Sequence, residues 1–147
     1  MPKHSMKVCW LHLIWSTKER YPYFIDTDIS IKVIVILKDI CKQHEIYYKI
    51  DYINPEHVHL LVDLPVDLSV EKLLQYLKGT SSHAINEIGL FKTRFSRSKR
   101  YAAFSVSNSE INSIIQYINN QKEHHKKVSF LDEWEHYMEK FDLLRSP

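Results

Sequence analysis

The chain has 147 residues, 44% hydrophobic and 26% charged, which suits one soluble domain with a real core. No apolar run approaches the length of a membrane span, and Met1-Pro2-Lys3-His4 lacks a signal-peptide layout, so a cytoplasmic protein is expected. A formal charge of +2 is too small to mark a nucleic-acid binder, and Cys9 and Cys41 read as small buried hydrophobes rather than a disulfide framework.

The distribution of charge is more informative than its sum. Lys92, Arg94, Arg97, Lys99 and Arg100 make half of the ten residues from Phe91 to Arg100 basic. After Val128, the acids Asp132, Glu133, Glu135, Glu139 and Asp142 face only Lys140 and Arg145. A basic patch beside an acidic tail suits an anionic partner. Two glycines and no low-complexity tract leave no linker, so residues 1–147 read as a single domain.

In chain order, Val8 to Trp15 is aromatic and apolar and reads as a buried strand, with His12 inside it as a packed residue or the border of a site. Asp28 is a plausible N-cap for Ile29 to Lys42, where Ile29, Val33, Ile36, Leu37 and Ile40 fit a helical stripe. The β-branched run Val33-Ile34-Val35-Ile36 also fits a strand; length favours the helix. Ile46 to Ile53 alternates as a strand, and Asn54-Pro55-Glu56 is turn chemistry, so the next strand closes a hairpin. Ser69 caps a long helix with Val70, Leu73, Leu74 and Leu77 on its core face, continuing past Gly79 to Ile88. The basic loop follows, then a fourth strand from Tyr101 to Ser107. The order β-α-β-β-α-β implies an α+β, ferredoxin-like, four-stranded antiparallel sheet with helices on one face. Ser107 and Glu110 signal a capping box for one more helix over about 109–126, striped by Ile111, Ile114, Ile115 and Ile118. An amphipathic segment over about 130–144 closes the chain.

The chemistry concentrates in two places. In the strand His57-Val58-His59-Leu60-Leu61-Val62-Asp63, alternation puts both imidazoles on one face, about 6–7 Å apart at Cα, which suits two ligands of one metal ion. On the late helix, Tyr117 and Gln121 fall one turn apart on the shoulder of the apolar stripe. Asp63 shares the histidine face and is a candidate for water-mediated contact, and His124 is a candidate neighbour of the site. His125 reads as a helix-surface residue and Glu56 as a turn residue.

The blocks Asn54-Pro55-Glu56-His57-Val58-His59-Leu60-Leu61-Val62, Tyr101 to Ser107 and Tyr117 to His125 resemble, in order, three motifs of one family. These are the single-tyrosine transposases of small bacterial insertion sequences, the insertion-sequence 200/605 type built on a His–hydrophobic–His motif. The resemblance runs from about Trp10 to about Phe141. It implies that His57, His59 and Gln121 hold a divalent cation, magnesium or manganese, and that Tyr117 attacks a DNA phosphate to leave a 5′-phosphotyrosine link and a free 3′-hydroxyl. The implied substrate is single-stranded DNA with hairpin ends. Lys78, Lys92, Arg94, Arg97, Lys99 and Arg100 would contact phosphates, and Tyr101 or Tyr76 would stack on a base. A homodimer is also implied, commonly with the tyrosine helix serving the partner's histidines.

Two departures stand out. Family members carry a glycine beside the tyrosine of the fourth-strand block, where this chain has Tyr101-Ala102-Ala103, so a different DNA path or bulge is expected there. The chain also stops at Arg145-Ser146-Pro147, earlier than its relatives would suggest. The rival readings are a domesticated nuclease that processes palindromes, a replication-initiator-like nicking enzyme, and a ferredoxin-like nucleic-acid-binding module without catalysis. The order of motifs argues against the initiator, and the lack of an aromatic-and-glycine signature on the outer strands lowers the binding module.

Overall fold

The computed structural model describes residues 7–141 and residue 143. In chain order its elements are β1 (Trp10–Thr17), α1 (Thr27–Gln43), β2 (Tyr47–Ile53), β3 (His57–Asp63), α2 (Val70–Leu74), α3 (Ser81–Glu87), β4 (Arg97–Val106), α4 (Ile111–Asn119), α5 (Gln121–His124) and α6 (Phe130–Lys140). The strands form one antiparallel sheet in the order β2-β3-β1-β4, the expected ferredoxin-like arrangement.

Central β3 sets the rest. Val58, Leu60 and Val62 point to one face and join Leu11, Leu13 and Trp15 of β1. Val33, Leu37 and Ile40 of α1 and Leu73, Leu74, Leu77 and Ile85 of the second helical segment cover them. Each such aliphatic burial contributes ~1.5–3 kcal/mol, and a slip of one residue would turn all three of the β3 residues to the opposite face. The core therefore holds His57 and His59 on the other side.

That second face is also covered. Leu61, Val106 and Ile118 pack with Ile111, Ile114 and Ile115, while Ile14, Phe104 and Tyr137 pack with Phe130 and Trp134. Thus α1 to α3 lie on one face and α4 to α6 on the other.

Several local expectations need correction. Asp26, not Asp28, caps α1, accepting from the Asp28 N–H at 2.8 Å. The β-branched run is helical because Val33, Leu37, Ile40 and Cys41 share a buried stripe while Ile31 and Val35 face solvent. The long second helix does run on from its Ser69 cap, but with one π-turn, Gln75–Thr80, between α2 and α3. The fourth strand starts at Arg97, so Arg97, Lys99 and Arg100 are strand residues rather than loop. Ser107 bonds the Glu110 side chain instead of a helical N–H, so the capping box does not form.

The late helix is not continuous over 109–126; it breaks at Asn120, between α4 and α5. Residues 101–103 are regular strand, paired as Trp15↔Tyr101, Ile14↔Ala102 and Leu13↔Ala103, with no positive φ, and the register shift lies between Trp15 and Thr17. Among the described residues, no helix is long and apolar enough to cross a membrane. Met1 to His4, Asp142, Leu144, Arg145 and the ending Ser146-Pro147 lie outside the described residues.

Candidate active site

His57 and His59 leave β3 side by side, each with 0% exposure, roofed by α5, the turn after it and α6. Both rings are gripped at Nδ1. Glu56 Oε1 lies 2.5 Å from His57 Nδ1, and His12 Nε2 lies 2.8 Å from His59 Nδ1. Such partners fix the ring and tautomer of a metal-ligating histidine, leaving Nε2 facing inward. Glu56 is therefore more than a turn residue, and His12 borders the site from β1 because its antiparallel position, opposite Leu61, puts it on the histidine face. Phe130 stacks on the His57 ring at 4.2 Å between centroids.

Glu133 sits at the centre of the constellation. It is 2% exposed, with Oε1 3.2 Å from His59 Nε2 and 3.6 Å from His57 Nε2. Its Oε2 lies 2.9 Å from His124 Nε2 and 3.4 Å from His125 Nε2, and accepts the Tyr117 hydroxyl's hydrogen bond. Read by sequence, Glu133 is one acid of a charged tail. The overlooked signal is its position within the apolar stripe Phe130, Trp134, Tyr137, where a solvated carboxylate has no place.

Tyr117 lies against the histidines of its own chain, 5.8 Å from the His59 ring and with its hydroxyl 3.2 Å from His124 Nε2. Gln121 is fully buried and close by, although α4 ends between the two residues. Its Oε1 accepts from Asn54 Nδ2 at 3.1 Å, and the same Asn54 nitrogen lies 3.0 Å from His57 Nε2. His125, expected on the helix surface, packs its ring 4.7 Å from that of His57. Asp63 is drawn elsewhere, accepting from Lys7 Nζ at 3.0 Å and the Cys9 N–H at 2.9 Å.

Burial sets the charge states. It pushes the His59 imidazole down to about 4 and, with the charge of His59, holds His12 well below its ordinary value. The neutral ring is the form that binds metal. Burial alone would raise Glu133, yet the neighbouring imidazoles of His125 and His59 keep it well below the usual carboxylate range. Burial would likewise lower His125, but the Glu133 carboxylate beside its Nε2 raises it. Burial, then Tyr137 and Glu133, hold the Tyr117 phenol well above its ordinary value.

The ligand atoms of His57, His59, His125 and Glu133 lie within 4.8 Å of one another. His125 Nε2 is buried and makes no hydrogen bond, so the donor set fits a divalent cation. A cavity of about 560 Å³, lined by His12, Phe104, Tyr117, Glu133 and Tyr137 among others, reaches the Tyr117 side of the cluster.

The basic residues divide. Lys92 and Arg94 are exposed on the loop before β4. Arg94, Arg97 and Lys99 line one groove with His83 and Asn86, while Arg100 lines another with Arg20, Phe130 and Trp134, on the histidine side of the sheet. Lys78 departs from its expected role: it is 4% exposed and its Nζ donates to the carbonyls of Lys99 and Arg100, each at 3.2 Å, so it anchors β4. Tyr76 stacks on His44 at 3.7 Å, which takes one of its faces away from a base. Tyr101 is 41% exposed beside Lys78 Nζ.

The model of the family described as "Transposase IS200 like" matches residues 5–121. Among solved structures, a "putative transposase" from Deinococcus radiodurans R1 superposes with a TM-score of 0.65 at 25% identity, covering 82% of this chain and 96% of its own. A REP-associated tyrosine transposase bound to a REP hairpin shares the fold, with a TM-score of 0.64 at 15% identity over 87% of this chain and 76% of its own. No curated protein matches the chain significantly in sequence.

Proposed function

The chain belongs to the IS200-like transposases, enzymes of DNA transposition, and we propose that it cuts and rejoins single-stranded DNA at hairpin-bearing ends with Tyr117 as nucleophile. The observation that carries this reading is the contact of the Tyr117 hydroxyl with Glu133 beside the paired histidines. A similarly folded tyrosine transposase bound to a REP hairpin supports the substrate class.

Tyr117 Oη attacks the scissile phosphorus, forming a tyrosine–phosphate bond as the bond to the 3′ oxygen breaks; that oxygen leaves as a 3′-hydroxyl. Because the phenol is held protonated, attack needs an acceptor for its proton, and the Tyr117 hydroxyl already donates its hydrogen bond to Glu133 Oε2, with His124 Nε2 3.2 Å from the same hydroxyl. His57, His59 and Gln121 are read as holding a divalent cation, magnesium or manganese, which when bound supplies Lewis-acid polarisation of the phosphate. His12 and Glu56 hold the two rings in place. The covalent link conserves the phosphodiester, so rejoining is the same chemistry in reverse and needs no ATP. Arg94, Arg97 and Lys99 in one groove, Arg100 in the other and Lys92 on the loop before β4 supply salt-sensitive phosphate contacts. The reading includes a homodimer in the cytoplasm.

The test is a denaturing gel of labelled hairpin-bearing single-stranded DNA incubated with the protein and magnesium or manganese. Wild type gives a slow-migrating protein–DNA adduct that EDTA prevents, and Tyr117→Phe gives none. An adduct with Tyr117→Phe would assign the nucleophile elsewhere.

A further inference from the structure

The resemblance accounts for two histidines and a glutamine, whereas the structure brings two more ligand-bearing side chains to the same point. His125 follows α5, and its Nδ1 lies 2.7 Å from the Val128 carbonyl oxygen. A carbonyl only accepts, so Nδ1 carries the proton, and in the neutral ring the lone pair is on Nε2. That Nε2 is buried, makes no hydrogen bond and lies 3.4 Å from Glu133 Oε2. Glu133 in turn presents Oε1 to the Nε2 atoms of both motif histidines. The Gln121 amide oxygen is engaged by Asn54, whose nitrogen also borders His57 Nε2. Gln121 thus braces the turn before β3, while His125 and Glu133 face the point between the histidines.

We propose that His125 and Glu133 are ligands of the same cation as His57 and His59, in the place that the resemblance gives to Gln121, forming a centre of three histidines and one carboxylate. This rests on reading the histidine pair as metal-binding, and not on strand cleavage. Its consequence is selectivity. Magnesium favours oxygen ligands and retained waters, whereas imidazole nitrogens suit first-row transition metals. The preferred ion is then manganese or a later divalent metal over magnesium. The carboxylate uses its two oxygens separately, with Oε1 toward His57 and His59 and Oε2 toward Tyr117.

The full chain, stripped with EDTA and dialysed, is titrated with Mn²⁺ while free ion is followed by electron paramagnetic resonance, with and without excess Mg²⁺. One Mn²⁺ binds per chain and resists displacement by Mg²⁺. His125→Ala and Glu133→Gln each weaken binding roughly tenfold or more, a loss that even outer-shell partners of a metal site can produce. Pulsed resonance counts three coordinated imidazole nitrogens in wild type, a reading that requires no variant, and two in His125→Ala. His136→Ala, outside the cluster, leaves affinity and nitrogen count unchanged. A wild-type count of two overturns the proposal, as does wild-type affinity in both His125→Ala and Glu133→Gln. If His57→Ala abolishes binding while those two variants do not weaken it, this inference falls and the histidine-pair reading survives. If wild type binds no Mn²⁺, both fall.

Discussion

At His59, two nitrogens have two neighbours, His12 at Nδ1 and Glu133 at Nε2, and the ring has no access to water. That environment makes a prediction about pH. Burial moves the His59 pKa from its ordinary 6.5 to about 4, and His12 is lowered as well. Between those values the unfolded chain binds protons that the folded chain refuses, so stability falls as pH drops from 6.5 toward about 4. Each such group contributes a slope of ~1.4 kcal/mol per pH unit in that window. His125 is raised, so its contribution has the opposite sign and is lost as pH rises through its folded value. Thermal melts of metal-free protein should show Tm falling through the window, and His12→Asn should flatten the fall; a flat wild-type profile would contradict the burial argument. Residue identity alone could not reveal these roles. His12 reads equally as core and Glu133 as one acid among several, because their partners lie 47 and 74 residues away in the chain.

Among the elements, α6 is the one whose position matters most to the site and whose own stability depends on local chemistry. Its N-terminus is capped by Ser129, whose side chain accepts from the Asp132 N–H at 3.1 Å. Its apolar stripe packs Phe130 on His57 and Tyr137 on Phe104. Ser129→Ala should cost ~1 kcal/mol, enough to raise hydrogen exchange of the α6 amides about fivefold while β1 and β3 stay protected. Equal protection of α6 in both proteins would mean that packing, not the cap, sets its stability. The amphipathic pattern of α6 is visible in sequence, as are the stripes of α1 and α4. The break at Asn120 falls on Asn119-Asn120, a residue type that favours caps and turns over helix interiors, and on its two sides Ile118 and Gln121 are both fully buried.

For the whole molecule, covering both faces of the sheet has a consequence for assembly. Tyr117 meets histidines of its own chain, with Oη bonded to Glu133, whose Oε1 is 3.2 Å from His59 Nε2. A reaction run in this arrangement is complete within one chain. Mixing Tyr117→Phe with His57→Ala protein should therefore restore no adduct above the level of either alone. Restored adduct formation would show that the tyrosine helix serves a partner's histidines, the arrangement the family resemblance led us to expect.

Much of the fold was legible because it rests on local period. Alternation in β3, the helical stripes of α1 and α4, and the turn Asn54-Pro55-Glu56 each depend on neighbours a few residues apart, and together they determine a β-α-β-β-α-β chain with its histidines on one face. The three motif blocks carried the expectation of Tyr117, His57, His59 and Gln121 as site residues. What only the tertiary structure decided is how the second face is closed. That closure brings His125 and Glu133 to the histidines. Those contacts follow from the packing of α4 to α6 on the sheet, and period along the chain carries no record of which residues meet across it.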